Sequence, residues 1–101
     1  MMINYTDAIP YIANVYGEEE QLTQLAEESA ELAQAALKRR KAQIGQTKYG
    51  NTRDALAEEI ADTLIMIEQI VYLEGFEDDV RRIIVEKLNR QISRIKGVTN
   101  K

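Results

Sequence analysis

The chain has 101 residues, of which 45% are hydrophobic and 30% charged, and it carries a formal net charge of −4. This length and composition are typical of one soluble, globular domain, and the acidic balance argues against a partner that is a nucleic-acid polymer. Because the chain contains no cysteine and no histidine, disulfides, thiolate nucleophiles, zinc–thiolate sites and imidazole bases are excluded, so that any catalysis must use carboxylates, amines, hydroxyls or a bound ion.

The first two predicted helices are separated by a single glycine. A short first helix is expected to begin at a cap on Thr6 or Asp7 and to end at Tyr16, because Gly17 interrupts it. The second helix begins with the acidic residues 18–20, which suit the electropositive end of a helix, and it reaches a run of basic residues at its other end. The polar segment that follows, from about residue 43 to residue 52, predicts a loop.

Two further helices are expected in the second half of the chain. A cap on Thr52 or Asp54 begins the third helix, which Gly75 ends, and acidic residues begin the fourth helix, which Gly97 stops. The apolar stripe predicted for the third helix consists of Leu56, Ile60, Thr63, Leu64, Ile67 and Val71. The stripe predicted to lie inside on the fourth helix consists of Val80, Ile84, Leu88, Ile92 and Ile95.

No segment of the chain alternates with the period of two that a β-strand requires. We therefore predict an all-α, four-helix bundle-like fold with a short first helix, in a single domain over residues 1–101 that oligomerisation completes. No stretch offers the ~18 consecutive apolar residues of a membrane span, and no signal-peptide pattern is seen. We expect a cytoplasmic protein with no membrane partner.

An acidic pattern is repeated on the second and third predicted helices, as LAEESAEL at 25–32 and LAEEIADTL at 56–64. Residues three apart share a helix face, so Glu28 projects beside Glu31, and Glu59 projects beside Asp62. If the two helices pack as an antiparallel hairpin, the four carboxylates converge. Such a cluster is unfavourable unless a cation offsets the repulsion, and oxygen-only ligands suit Mg²⁺ or Mn²⁺. The pattern therefore predicts a cation site that recruits a phosphorylated ligand.

A solvated helix surface is the other interpretation of these acids, since carboxylates at such spacings are common on exposed faces. One feature of the sequence counts against it. On exposed faces such acids are often paired with a base four residues later, whereas the corresponding positions here hold Leu32, Ala35, Thr63 and Met66. We therefore expect helices two and three to bury both sides, one against the bundle and the other against a neighbour or a ligand.

The two acidic motifs and the basic spacer between them resemble the all-α nucleoside triphosphate pyrophosphatase superfamily, and within it the MazG-like proteins. The family signature is E-E-x-x-E, a spacer and E-x-x-D, which EESAE at 27–31 and EIAD at 59–62 match. The resemblance covers about residues 16–94. It implies that the metal ligands and catalytic carboxylates are Glu28, Glu31, Glu59 and Asp62, with Glu27 and Glu58 as weaker candidates.

Basic residues on the last helix are the expected phosphate contacts. The family's K-x-x-R motif matches Lys87 and Arg90, and Arg94 lies one turn further on the same helix. Solvated bases near a helix C-terminus are the other interpretation of these three residues. Further phosphate candidates, with no motif behind them, are Lys38, Arg39 and Lys48 near the spacer.

The activity that the resemblance implies is Mg²⁺-dependent hydrolysis of a nucleoside triphosphate to the monophosphate and pyrophosphate, in the housekeeping of modified nucleotides. Glu28 or Glu31 would accept the proton of the attacking water, and Lys87 and Arg90 would offset charge on the leaving pyrophosphate. Family members form dimers or tetramers, so a homodimer or homotetramer is expected.

Other functions remain open at this point. Phosphoribosyl-ATP pyrophosphohydrolase shares the superfamily fold, but its extended N-terminal sequence is not found, and the dimeric dUTPases and dCTPases are usually longer. Outside this chemistry, the alternative is a non-catalytic helical module that binds a partner or a nucleotide.

Overall fold

The computed structural model describes residues 7–45 and 50–97, and the regular structure within these ranges is entirely helical. Helix α1 spans Ala8–Tyr16, α2 spans Glu18–Gln43, α3 spans Thr52–Glu74 and α4 spans Glu77–Ile95. The prediction of an all-α fold with four helices is confirmed. None of these helices is both long enough and apolar enough to cross a membrane.

Glycines end α1 and α3 as the sequence predicts. Gly17 has a φ of 85° and Gly75 a φ of 70°, a region of backbone space that residues with a side chain rarely adopt. Each glycine N–H still donates to a carbonyl of the preceding turn, Gly17 to Ala13 and Gly75 to Val71. Each helix can therefore end at its glycine without losing these hydrogen bonds.

The residues predicted to cap the N-termini of α1 and α3 with their side chains do not do so within the described residues. Asn51, rather than Thr52 or Asp54, caps α3, and its side-chain oxygen accepts a hydrogen bond of 3.0 Å from the N–H of Asp54. Thr52 is already the first helical residue and is buried, which leaves the capping position to its neighbour. Asp7 precedes α1 but makes no capping hydrogen bond with its side chain, and Thr6 lies outside the described residues.

Helices α2 and α3 form an antiparallel hairpin, the most extensive helix packing in the described chain. As the residue number on α2 rises, that of its partner on α3 falls. Three side-chain hydrogen bonds set this register, namely Gln21 Nε2 to Gln69 Oε1, Thr63 Oγ1 to the Glu28 carbonyl (3.4 Å) and the Arg39 guanidinium to Thr52 Oγ1 (3.4 Å). The acidic motifs of the two helices consequently lie opposite each other.

The core lies where α1 packs against the C-terminal half of α3, and it departs from the predicted stripe. Thr63 and Val71 are buried as predicted, but Ile60 is 43% exposed. Met66 and Ile70, which lie outside the predicted stripe, are buried in its place. The reason is that α3 contacts α2 on one side and α1 on another, so its buried surface is wider than the single stripe of an amphipathic helix.

Helix α4 makes no extensive contact with the other described helices, which contradicts the predicted burial of its apolar stripe. Ile84 is 42% exposed, Leu88 52% and Ile95 85%, and no residue of α4 is buried. The helix pairs in close contact are α2–α3, α1–α3 and α1–α2. Accordingly, the radius of gyration is 17.0 Å, whereas a compact chain of this length has about 13 Å. The bundle-like arrangement holds for α1–α3 alone.

Candidate metal centre

An acidic cluster lies between α2 and α3, partway along the hairpin. Glu28 of α2 and Glu59 and Asp62 of α3 each contribute one carboxylate oxygen, and these three oxygens lie within 4.8 Å of one another. All three side chains are half-buried. The hydroxyl of Thr63 donates to the backbone carbonyl of Glu28, which holds the two helices together beside the cluster. Three of the four predicted ligands are thus brought together from both helices.

The fourth predicted ligand, Glu31, lies beside this cluster rather than within it. Its side chain is exposed, and no oxygen of it belongs to the group of three. It nevertheless lies close enough to Glu59 for its negative charge to raise the pKa of the Glu59 carboxyl. The two residues also line one cavity between the helices. Glu31 therefore adjoins the same site from one turn further along α2.

Two carboxylate oxygens of the cluster are buried without a hydrogen-bond donor among the described residues. They are Oε2 of Glu28 and Oε2 of Glu59, one on each side of the helix interface. The other oxygen of Glu28 accepts a hydrogen bond of 3.0 Å from the amide of Gln24. A buried carboxylate oxygen without a partner is energetically unfavourable. A cation would satisfy both oxygens, and the all-oxygen donor set suits a hard ion such as Mg²⁺ or Mn²⁺.

The negative charge of the cluster affects the pKa of Glu59. Burial raises the pKa of its carboxyl above the ordinary value of 4.5, and the negative charges of Glu31, Glu28 and Asp62 raise it further. The ionised form is therefore disfavoured in the folded chain without a counter-ion. Since a proton and a metal ion compete for the same oxygens, acidification is expected to weaken cation binding at this site.

The remaining predicted residues do not belong to the group of three. Glu27 and Glu58 are exposed, and Glu58 acts on the centre only as a minor negative charge near Glu59. The predicted phosphate contacts on α4 are exposed as well; these are Lys87, Arg90 and Arg94. Within residues 7–45 and 50–97 no hydrogen bond or ion pair engages their side chains. Lys48 lies outside the described residues.

A small cavity beside the cluster is a feature that the sequence argument did not identify. It has a volume of about 200 Å³ and lies between α2 and α3. Two alanines line it together with five polar residues, which are Glu31, Gln34, Lys38, Thr52 and Glu59. The signal was present in the helical spacing, since Gln34 and Lys38 follow Glu31 by three and seven residues and so share its face.

Comparisons with protein-family models, with curated proteins and with solved structures gave no match to this chain. The link to the MazG-like proteins therefore remains a resemblance, carried by the two acidic motifs.

Proposed function

We propose that the chain is a Mg²⁺-dependent nucleoside triphosphate pyrophosphohydrolase of the MazG-like type, which converts an NTP or dNTP and water to the monophosphate and pyrophosphate. The observation that carries the proposal is the pair of buried, unpartnered oxygens on Glu28 and Glu59, within a cluster that includes Asp62. Three carboxylates drawn from two helices repel one another unless a cation is bound. Magnesium ions bound by carboxylates usually take their other ligands from water and substrate phosphates, so an ion held by these three residues would suit a phosphorylated substrate.

The four carboxylates divide into two roles in the proposed reaction. Glu28, Glu59 and Asp62 would hold Mg²⁺, or Mn²⁺ in its place. When bound, the ion supplies Lewis-acid stabilisation at the phosphate oxygens and lowers the pKa of a bound water. We assign the acceptance of the water's proton to Glu31, in preference to Glu28, because Glu31 is exposed beside the cluster while Glu28 already accepts from Gln24.

Self-association is part of the proposal. The uncovered apolar side chains of α4 and the large radius of gyration support a homodimer or homotetramer in which a second copy covers this helix. In that assembly Lys87, Arg90 and Arg94 could approach the acidic cluster of another subunit, which would reconcile their exposed positions with the phosphate role that the resemblance implies. A role in clearing modified nucleotides in the cytoplasm belongs to the same proposal.

A product assay tests the activity. Purified protein incubated with a panel of standard and modified dNTPs and Mg²⁺ should release pyrophosphate. Asp62→Asn should abolish that release, because it removes a negative charge from the three-carboxylate cluster that would hold the ion. Glu27→Gln serves as the matched control, since Glu27 is an exposed neighbour of Glu28 outside the cluster. Orthophosphate as the first product, or full activity in Asp62→Asn, would contradict the proposal.

A non-catalytic helical interaction or nucleotide-binding module is the second candidate, and one observation favours it. The exposed face of α4 offers apolar side chains to a partner without requiring any chemistry at the acids. Thermal unfolding separates the two functions, because a ligand that binds only the folded state raises its midpoint. If neither Mg²⁺ nor Mn²⁺ raises the midpoint and dNTPs do not protect, the interaction module is the better account.

A further inference from the structure

The cavity beside the acidic cluster has two chemically different ends. Glu31 and Glu59 line it next to the cluster, while Lys38 and Thr52 line it further along α2 and at the start of α3. The Arg39 guanidinium donates to the hydroxyl of Thr52, so a second cation lies near the same end. The cavity thus runs from the carboxylates of the candidate metal centre to a basic region.

The lining of this cavity fits a small, polar anion better than a nucleobase. Pockets for drug-sized molecules usually have volumes of at least about 300 Å³ and apolar or aromatic walls. This cavity has about 200 Å³, and the apolar residues that line it are two alanines, with no aromatic residue. The amide of Gln34, the ammonium of Lys38 and the hydroxyl of Thr52 are instead donors suited to phosphate oxygens.

We infer that this cavity is the subsite for the pyrophosphate part of the substrate, and that Lys38 is its principal phosphate contact within the chain. The inference rests on the proposed function, which supplies the triphosphate. It assigns phosphate recognition to α2, where the sequence offered Lys38 only as a further candidate, whereas the motif-based candidates Lys87, Arg90 and Arg94 lie on α4. The backbone N–H groups at the start of α3 contribute less, because those of Thr52 and Asp54 already donate to Gly50 and Asn51.

The charges of the lining make binding conditional on the cation. Two carboxylates and one ammonium give the cavity a net negative charge, which repels a free anion. Pyrophosphate is therefore expected to bind only when Mg²⁺ is present. An uncharged nucleoside such as thymidine should not bind there, with or without the metal, because the cavity is small and has no aromatic lining residue against which a base could stack.

Calorimetric titration of the full chain with inorganic pyrophosphate, with and without Mg²⁺, tests the inference. We expect Mg²⁺-dependent binding that Lys38→Gln weakens by about 10-fold or more, the loss expected for one charge-assisted hydrogen bond. Lys38→Arg, which keeps the charge, should remain closer to the wild type. Lys41→Gln is the matched control on the same helix end, because Lys41 is exposed and does not line the cavity.

The outcomes separate this inference from the proposed function. Lys38-dependent binding of pyrophosphate without hydrolysis of any triphosphate would overturn the enzyme and leave the subsite intact. Hydrolysis with an unchanged pyrophosphate affinity in Lys38→Gln would overturn the subsite and leave the enzyme intact. No binding of pyrophosphate to the wild type, or weakening by Lys87→Gln in place of Lys38→Gln, would also overturn the inference. Retention of the Mg²⁺-induced rise in unfolding temperature shows that each variant is folded.

Discussion

Replacing Asp62 with asparagine should make the metal-free protein more stable and at the same time abolish its response to magnesium. Asparagine keeps the shape of the side chain but removes one of the negative charges in the cluster. The oxygens of Asp62 and Glu28 lie within 4.8 Å, a distance at which two unit charges repel by about 0.9 kcal/mol in water and about 3.5 kcal/mol at an effective dielectric of 20. Because both side chains are only half-buried, the lower figure applies.

Thermal unfolding followed by circular dichroism measures both effects. For a domain of this size 1 kcal/mol corresponds to about 4–8 °C, so Asp62→Asn should raise the midpoint of the metal-free protein by roughly 4–7 °C. The wild type should gain about 10–20 °C from Mg²⁺ at ~100 times its dissociation constant, and the variant should gain almost nothing.

The control and the contradicting result are equally specific. Glu27→Gln removes a charge from the adjacent position of α2 and should leave the Mg²⁺ response unchanged. If Asp62→Asn is less stable than the wild type without metal, the carboxylates do not repel as argued. If Mg²⁺ stabilises both proteins equally, the ion binds elsewhere.

Three further predictions concern the pH response, the core and α4. Because the pKa of Glu59 is raised in the folded chain, the stability that this group gives the metal-free protein is greatest below pH 4.5 and is lost as the pH rises through the raised pKa. The Mg²⁺-induced rise in unfolding midpoint should instead increase with pH, because a proton and the ion compete for the same oxygens. Midpoints measured from pH 4.5 to 8 check both trends, and a Mg²⁺ response independent of pH would contradict them. Gln69→Ala should destabilise the chain by about 2–4 kcal/mol in urea unfolding, because Gln69 is 2% exposed and its loss leaves the Gln21 amide buried without a partner. The control, Gln91→Ala at an exposed position, should cost little, and equal losses in the two variants would contradict a stabilising role for the Gln21–Gln69 hydrogen bond. Leu88→Glu should lower the oligomeric state measured by light scattering, because Leu88 is 52% exposed on the uncovered face of α4. The control Glu86→Gln should leave the oligomeric state unchanged, and an unchanged assembly in Leu88→Glu would show that this face is not the interface.

The sequence predicted the helices and most of the acidic cluster because both depend on local spacing. The E-x-x-E and E-x-x-D motifs place two acids on one face of each helix, and the short connection favours an antiparallel hairpin, so Glu28, Glu59 and Asp62 could be expected to meet. The role of Glu31 depends on the rotation of α2 about its axis, which a period of three or four residues does not determine. The motif therefore could not predict whether Glu31 lies within the group of three or beside it.

The prediction for α4 was wrong for a different reason. An amphipathic stripe shows that a helix needs a partner, but it does not say whether that partner lies in the same chain. The stripe of α4 is uncovered within the described residues, so hydrophobic spacing identified the apolar surface but not whether the chain itself buries it. The buried Gln21–Gln69 pair was missed likewise, because a polar residue in a helix is expected at the surface unless its partner is known.

Binding of Mn²⁺, measured by the loss of the free-ion electron paramagnetic resonance signal, tests most directly whether carboxylates from α2 and α3 hold a cation. The account predicts that the wild-type chain binds Mn²⁺, that Mg²⁺ displaces it, and that Glu59→Gln and Asp62→Asn each remove the binding while Glu27→Gln retains it. Equal Mn²⁺ binding by all four proteins, or no binding by the wild type at neutral pH, would contradict the account.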